Sequence, residues 1–397
     1  MKRRDFLKTA AASTVSLICP LSVDASSAPI APAFASSGIK KRVALSRIKK
    51  NAGEKELSES VREAVDGATD FSWLSRGDTV FIKTVNNSGN TYPATTSPAA
   101  VAAMIGILRE RGARRVIVGD MSGVQAVRFT PGSLRGSTRK LMENSGLAAA
   151  VSSAGGDLHC FEEAGWNGFY EEIPTKGTHW KGPVMMPDIL KEVDHIVLMP
   201  RCSRHILTGT TLGLKAAVGY WRHDTRLEYH HDAASLHEKT AEANTVKTLM
   251  EKQRLVVTVA DRILATIGPD RGYVFEPEPG LTLASESLLA HEMASLAWLL
   301  KNRQAMPESE KDGFTDTSAA AAVVVNRVVV SFLSGWGKAI SSQRFIKNDI
   351  TSIRDDRTLA HACLLAGGAP VVSLETPGKG VPAELKRGLS EILNPDI

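Results

Sequence analysis

Thr79-Val-Phe-Ile-Lys-Thr-Val85, Ser97-Pro98 through Arg111-Gly112, and Arg115-Val-Ile-Val-Gly-Asp120 decide the fold. The first and third segments are short β-branched runs of the kind that form buried strands. Between them, Ser97 is a good N-cap, Pro98 suits the first helical position, and Gly112 ends the helix. Strand, helix and strand in that order make a βαβ unit with a parallel pair. The same alternation predicts a helix near 133–149 and a strand near 157–162. It also predicts a strand at 195–199 (His-Ile-Val-Leu-Met) and a strand at Leu255–Asp261. Ser235-Leu-His-Glu238 has a capping-box pattern and starts a helix toward Lys252. A short strand at 281–284 and a helix from Leu288 to Gln304 follow the turn-rich Phe275–Gly280. Met306–Ser318 is polar and reads as an exposed loop. A last strand begins near Pro370, and a helix spans Ala383–Leu393. The expected architecture is α/β: a mostly parallel sheet with helices on both faces, in Rossmann-like layers. Ligands in such sheets bind beyond the C-terminal strand ends. That points to the loops after Val85, Gly119, Met199 and Ala260.

The N-terminus carries an address. Arg3 and Arg4 are followed by Phe6 and Leu7, then by an apolar stretch from Thr9 to Val23 broken by Pro20. Ala33-Phe34-Ala35 supplies a small-x-small cleavage site and makes Ser36 the new terminus. This order resembles a twin-arginine export signal, so the chain is expected to be periplasmic or otherwise exported, with the twin-arginine translocase as a transient partner. Cys19 follows the bulky Ile18, which does not suit a lipoprotein anchor. The expected organisation is a signal over 1–35, a lead-in over 36–74, a core domain over 75–304, and an extension over 305–397 packed on that core.

The 397 residues are 43% hydrophobic and 23% charged, an ordinary globular balance that excludes a disordered or fibrous chain. No run of eighteen apolar residues occurs, so the mature chain is expected to have no membrane span. Removing 1–35 lowers the formal net charge from +5 to +3, since that segment holds four basic and two acidic residues. The densest basic patch, Lys40-Lys41-Arg42 with Arg47, Lys49 and Lys50, reads as a solvated flexible start, and nucleic acid is not an expected partner. Cys160, Cys202 and Cys363 allow at most one disulfide. Three thiols are too few for a self-contained iron–sulfur cluster.

Several constellations have the chemistry of a site. Lys83, Asn86, Asn87, Ser88, Gly89 and Asn90 form a loop rich in amide donors. With Thr96, this loop either holds an anion beside the helix at Pro98 or is an ordinary connection. Asp120, with Ser122, binds a metal or hydroxyl, or caps the turn after its strand. Gly209-Thr-Thr-Leu-Gly213-Leu-Lys215 lacks the spacing of a phosphate-binding Walker loop. His291-Glu292 is not a zincin motif, because position 295 is Ser. Six of the ten histidines fall within 195–237: His195, His205, His223, His230, His231 and His237. The stretch Trp221–Asp232, with Arg226 inside it, is dense in polar groups and reads as a loop or a site mouth. His230 or His231, together with His205 or His223 and a carboxylate, would hold a divalent transition metal. The other reading is a solvated polar loop with one or two packing histidines.

Taken together, Lys83 with Asn86, Thr96-x-Pro98, the Val-x-Val-Gly-Asp120 strand end, and Met199-Pro200 through His205-x-x-Thr208-Gly-x-Thr211-x-Gly213-x-Lys215 resemble the domain of unknown function 362 family. Ala284-Ser285, Ala290 and Glu292 fit its later motif, and the resemblance spans residues 75–300. Relatives often carry a ferredoxin-like cluster module, which this chain lacks, and their later motif reads Ser-x-Asp-Pro-x-Ala-x-Asp, where this chain has Ser287, Leu288 and Glu292. The resemblance implies redox work only by association. The residues imply a metal-dependent enzyme for a small anionic substrate, and the resemblance adds the reading of a redox-linked one. Lys83, Asp120 and Lys215 would be catalytic, and Asn86, Asn87, Thr96, Thr208, Thr211 and Arg226 would bind ligand. A ligand-binding protein without turnover and an accessory subunit of a redox partner are the alternatives.

Overall fold

The computed structural model describes residues 34–231, 234–334, 350–378 and 380–394. The expected export signal, including Arg3, Arg4 and Cys19, lies outside the described residues up to position 33. Numbering only the strands of the central sheet, β1 is Ser36–Ile48, β2 Thr79–Lys83, β3 Arg115–Asp120, β4 Asp157–Cys160, β5 His195–Leu198, β6 Gln253–Ala260, β7 Gly280–Ser285 and β8 Ala369–Glu375. Their order across the sheet is β8-β1-β7-β6-β5-β2-β3-β4. All neighbours pair in parallel except at β7, which runs against both β1 and β6. No crossover helix separates β6 from β7, so the chain turns back and pairs antiparallel.

Helices cover both faces: α1 (Glu54–Ala68), α2 (Pro98–Glu110), α3 (His223–His231), α4 (Leu236–Glu242), α5 (Leu288–Gln304) and α6 (Arg357–Ala366) are the ones that matter below. Alternation along the strands divides the core. Val80, Ile82, Val116, Val118 and Val197 pack under α1 and α2. Phe81, Ile117 and Ile196 point the other way, toward Tyr220, Tyr229 and Leu236. Further along that second face, Val43, Leu45, Leu281 and Leu283 meet α5 and α6. Each such side chain contributes about 1.5–3 kcal/mol on burial. Two-sided burial is the reason the strands read as continuous apolar runs.

Several expectations are corrected. The lead-in is not a flexible start: β1 lies between β7 and β8, and α1 packs beneath it. Lys40, Lys41 and Arg42 are indeed exposed, but on the outer part of a strand whose Val43–Ile48 half is inserted in the core. The helix expected near 133–149 is two, Thr138–Asn144 and Leu147–Ser153, separated at Gly146. The helix expected from Ser235 to Lys252 is interrupted by an extended Val246, and the Ser235 side chain makes no capping bond. The polar stretch at 221–232, read as a loop or a site mouth, is no loop: it forms α3 from His223 as far as His231, with residue 232 outside the described residues. Met306–Ser318 is only partly exposed, because Thr317 is buried and Asp316 accepts two hydrogen bonds from Arg303 at 2.7 and 2.8 Å. The described cysteines Cys160, Cys202 and Cys363 are buried free thiols. No described helix is long and apolar enough to cross a membrane.

Candidate functional site

From β2 the chain builds outward through β3 to β4, then returns to place β5 on the opposite side of β2. The strand order therefore reverses beside β2, the position where open α/β sheets leave a crevice for ligands. A cavity of about 350 Å³ lies there. The connections after β2, β3, β5 and β6 all contribute to its wall, through residues such as Asn87, Met121, Lys215 and Asp270.

Two cations build the wall and spend most of their donors in doing so. Lys83, the last residue of β2, has its Nζ 2.8 Å from Asp120 Oδ1 at the end of β3. It also donates to the carbonyls of Thr84 at 2.7 Å and Ala216 at 3.1 Å, using all three of its protons. Burial pulls the Lys83 ammonium below its ordinary range, and Asp120 opposes that pull. The other Asp120 oxygen, Oδ2, accepts from the Asn86 amide at 2.7 Å. Arg226 on α3 donates to four carbonyls: Trp221, Ser122, Met121 and Gly219, at 2.5 to 2.8 Å. Its burial lowers the guanidinium to about 10, so it stays charged at neutral pH. Gly219 sits against the ion pair: a Cβ there would lie 2.2 Å from Asp120 Oδ1 and 2.3 Å from Lys83 Nζ.

Lys215 and His205 differ from these. The segment after β5 forms a hairpin, Ser203–His205 with Gly209–Thr211, then a short helix Gly213–Ala216 that carries Lys215 to the cavity. The His205 Nδ1 accepts from the amides of Leu207 and Thr208 at 3.0 and 3.2 Å, which closes the hairpin turn. An Nδ1 that accepts has its proton on Nε2, so His205 offers an N–H donor from that nitrogen. Burial, with Lys215 and Arg201 nearby, holds its pKa well below the usual imidazole range and keeps the ring neutral. Lys215 lines the cavity, and its amine has no hydrogen-bond or ion-pair partner among the described residues. Burial, then the charges of Arg201 and Arg226, lower it to about 7. His230 also lines the cavity, and its Nδ1 donates to the Arg226 carbonyl at 2.6 Å. Burial takes its pKa to about 4.

Of the residues singled out in the sequence, Lys83, Asp120, Lys215, Asn87, Thr211, Arg226, His205 and His230 line this one cavity. Others do not. Asn86 is buried and accepts at its side-chain oxygen from Ser145, fastening the loop. Thr96 Oγ1 stitches the Val85 amide to the Met199 carbonyl. Thr208 donates within the hairpin to Thr210. His223 opens α3 and His231 closes it, and neither reaches the cavity, so of the histidines named as candidate metal ligands His205 and His230 are the two that meet there. Successive helical residues are rotated by about 100°, which turns His231 away from the side that His230 presents. At the N-terminus of α2 the Ser97 side chain accepts from Ala100 N and so caps the helix. Glu292 of the later motif is buried on α5 and accepts from the Leu214 amide at 2.9 Å, so it occupies the start of the helix that carries Lys215.

Five further residues carried no sequence signal. Arg201 is wholly buried behind the cavity, bonded to the carbonyls of Ala94 and Pro269, with Nε and Nη2 unpartnered. Asp270 adds a buried, unbonded Oδ1 to the wall. Away from the cavity, His179, Glu242 and His361 bring one ligand atom each to within 4.8 Å of one another. They lie 63 and 119 residues apart, so no local spacing joins them.

With Lys83 and Asp120 cancelling, the cavity keeps the positive charge of Lys215, Arg226 and the underlying Arg201 against Asp270. Such a chamber suits a small anion.

Comparison with known proteins adds a family. The structure is similar to that of the lactate racemase apoprotein from Thermoanaerobacterium thermosaccharolyticum, at 12% identity and a TM-score of 0.41, over 89% of this chain and 86% of that one. No curated protein matches the chain. The model of the family described as domain of unknown function (DUF362) matches residues 80–297, which run from β2 through most of α5 and contain every cavity residue named above. This chain belongs to the domain of unknown function 362 family.

Proposed function

We propose that the protein is an enzyme that binds a small anion in this cavity and transfers a proton to or from it, with Lys215 as the acid–base group. The observation that carries the reading is the unpartnered Lys215 amine, set beside two cations most of whose donors go to the wall itself. An amine close to half-protonation at neutral pH can both pair with an anion and exchange a proton with it. The His205 Nε2–H is a donor suited to negative charge developing on the ligand.

A metal at the cavity is the weaker reading. A ligating imidazole needs a lone pair, and His205 has one nitrogen engaged by two amides and a proton on the other. The enzyme reading is preferred to a carrier because the amine is poised for proton transfer and not locked into the wall.

The test uses a panel of small mono- and dicarboxylates and inorganic phosphate. Thermal melting reads binding, and NMR in D2O reads deuterium entering at the carbon beside the carboxylate. The wild type is expected to be stabilised by some members of the panel and to exchange at least one. Lys215→Arg is expected to keep binding and lose exchange, and Lys215→Ala to lose both. Binding without exchange across the panel makes the protein a carrier, and no binding removes the cavity reading altogether.

We also propose that the protein acts outside the cytoplasm. Support comes from the order of Arg3-Arg4, the apolar stretch and the Ala33-Phe34-Ala35 site. Replacing both arginines with lysine is expected to retain the protein in the cytoplasmic fraction; unchanged fractionation refutes export by this route.

A further inference from the structure

We propose that His179, Glu242 and His361 bind one divalent transition-metal ion of the zinc class, outside the cavity, and that this ion clamps α6 to the body of the protein. None of the three residues lines the cavity. They come from three separate segments: the loop after residue 175, the end of α4, and α6 near the C-terminus. His179 Nδ1 lies 2.5 Å from Glu242 Oε1, and His361 Nε2 lies 3.2 Å from the same oxygen. Ligands of a tetrahedral zinc-type ion, each about 2.0–2.2 Å from it, are roughly 3.3 Å apart. The three atoms therefore need to move only slightly to share a centre.

The chemistry of the set fits. Two imidazoles and one carboxylate are a recurrent three-ligand set for zinc, with a fourth position left to water. His179 is 38% exposed in its side chain and Glu242 only 1%, so the site is rooted in the protein and open on one side. The glutamate is held by more than the histidines: Oε1 accepts from the Thr178 amide at 3.1 Å and Oε2 from the His179 amide at 3.0 Å. Such outer hydrogen bonds orient a ligating carboxylate. Gly177 permits this close approach, with a φ of +92° and a position at which a Cβ would lie 2.1 Å from the Glu242 carboxyl. The two imidazole rings meet edge to face at 5.4 Å, and each brings one nitrogen to Glu242 Oε1.

The test titrates the full, untagged chain, freed of metal with a chelator, with Co(II) and Zn(II). One equivalent is expected to bind, with a visible Co(II) absorption band and a raised melting temperature. His179→Ala and His361→Ala should each weaken binding by more than about 100-fold. Lys215→Ala should leave it unchanged, which separates this site from the cavity. His179→Asn and His361→Asn, with folding checked by circular dichroism, guard against loss of structure. Failure of the folded wild type to bind overturns the proposal. So does one-equivalent binding that survives in the His179→Asn/His361→Asn double variant.

Discussion

The Lys83 ammonium and the Asp120 carboxylate meet at 2.8 Å, side by side at the ends of adjacent parallel strands, with both side chains essentially out of solvent. Removing either partner leaves a buried charge without its counterion. Asp120→Ala and Lys83→Met are each expected to cost about 3–5 kcal/mol in urea unfolding. Lys83→Met/Asp120→Leu should cost clearly less than the two single changes together, because it removes both charges. Simple additivity would show that the pair does not act as a unit.

Gly219 is a sharper probe of the same wall. Its φ is ordinary, so the constraint is space alone: any side chain meets the ion pair at about half the distance of a normal contact. Gly219→Ala is expected to destabilise by about 1–3 kcal/mol and to disturb anion binding, whereas Gly182→Ala, where a Cβ meets nothing, should change neither. Equal effects at the two positions would remove the packing argument.

The strand ends that form the cavity were legible because a buried parallel strand is a local pattern, and the ligand position follows from topology. Lys83, Asp120 and Lys215 stand within or just after such patterns, which is why they could be named. The lead-in was not legible. β1 has only a short apolar run after a basic one, and its partners β7 and β8 lie more than 200 residues away. A separation of 119 residues likewise hid Glu242 from His361. The histidine-rich stretch misled for another reason: Tyr229 and Arg226 turn a polar sequence into a helix by burying one face, and local composition does not record what that face packs against.

Lys215 predicts a pH profile. Its amine is cationic below about 7 and neutral above. Anion affinity should fall as pH rises through 7, while the rate of proton abstraction from bound ligand rises through the same interval. Lys215→Arg keeps the charge, so its affinity should be flat between about pH 6 and 8. A wild-type affinity equally flat over that range would assign the anion contact to another residue.

Glu292 predicts the opposite kind of dependence, in stability. Burial raises its carboxyl from 4.5 to about 8 while it accepts from the Leu214 amide. Between those two values the folded chain holds a proton that the unfolded chain has released. Stability must then decline as pH rises from about 4.5 to about 8, and the full penalty stands above that. Glu292→Gln keeps an oxygen for Leu214 and does not ionise. Relative to the wild type it should therefore gain stability with pH, by an amount on the order of a few kcal/mol between pH 5 and 9. Urea midpoints of the two proteins measured across that range decide the matter, and parallel curves would mean that Glu292 is already ionised in the native state. The consequence reaches the cavity, because the helix that Glu292 begins is the one that holds Lys215. If the carboxyl ionises above pH 8, the strain falls on that helix first; in the Lys215→Arg background, whose affinity does not follow the lysine's titration, loss of anion binding at high pH should precede global unfolding, but not when Glu292→Gln is added.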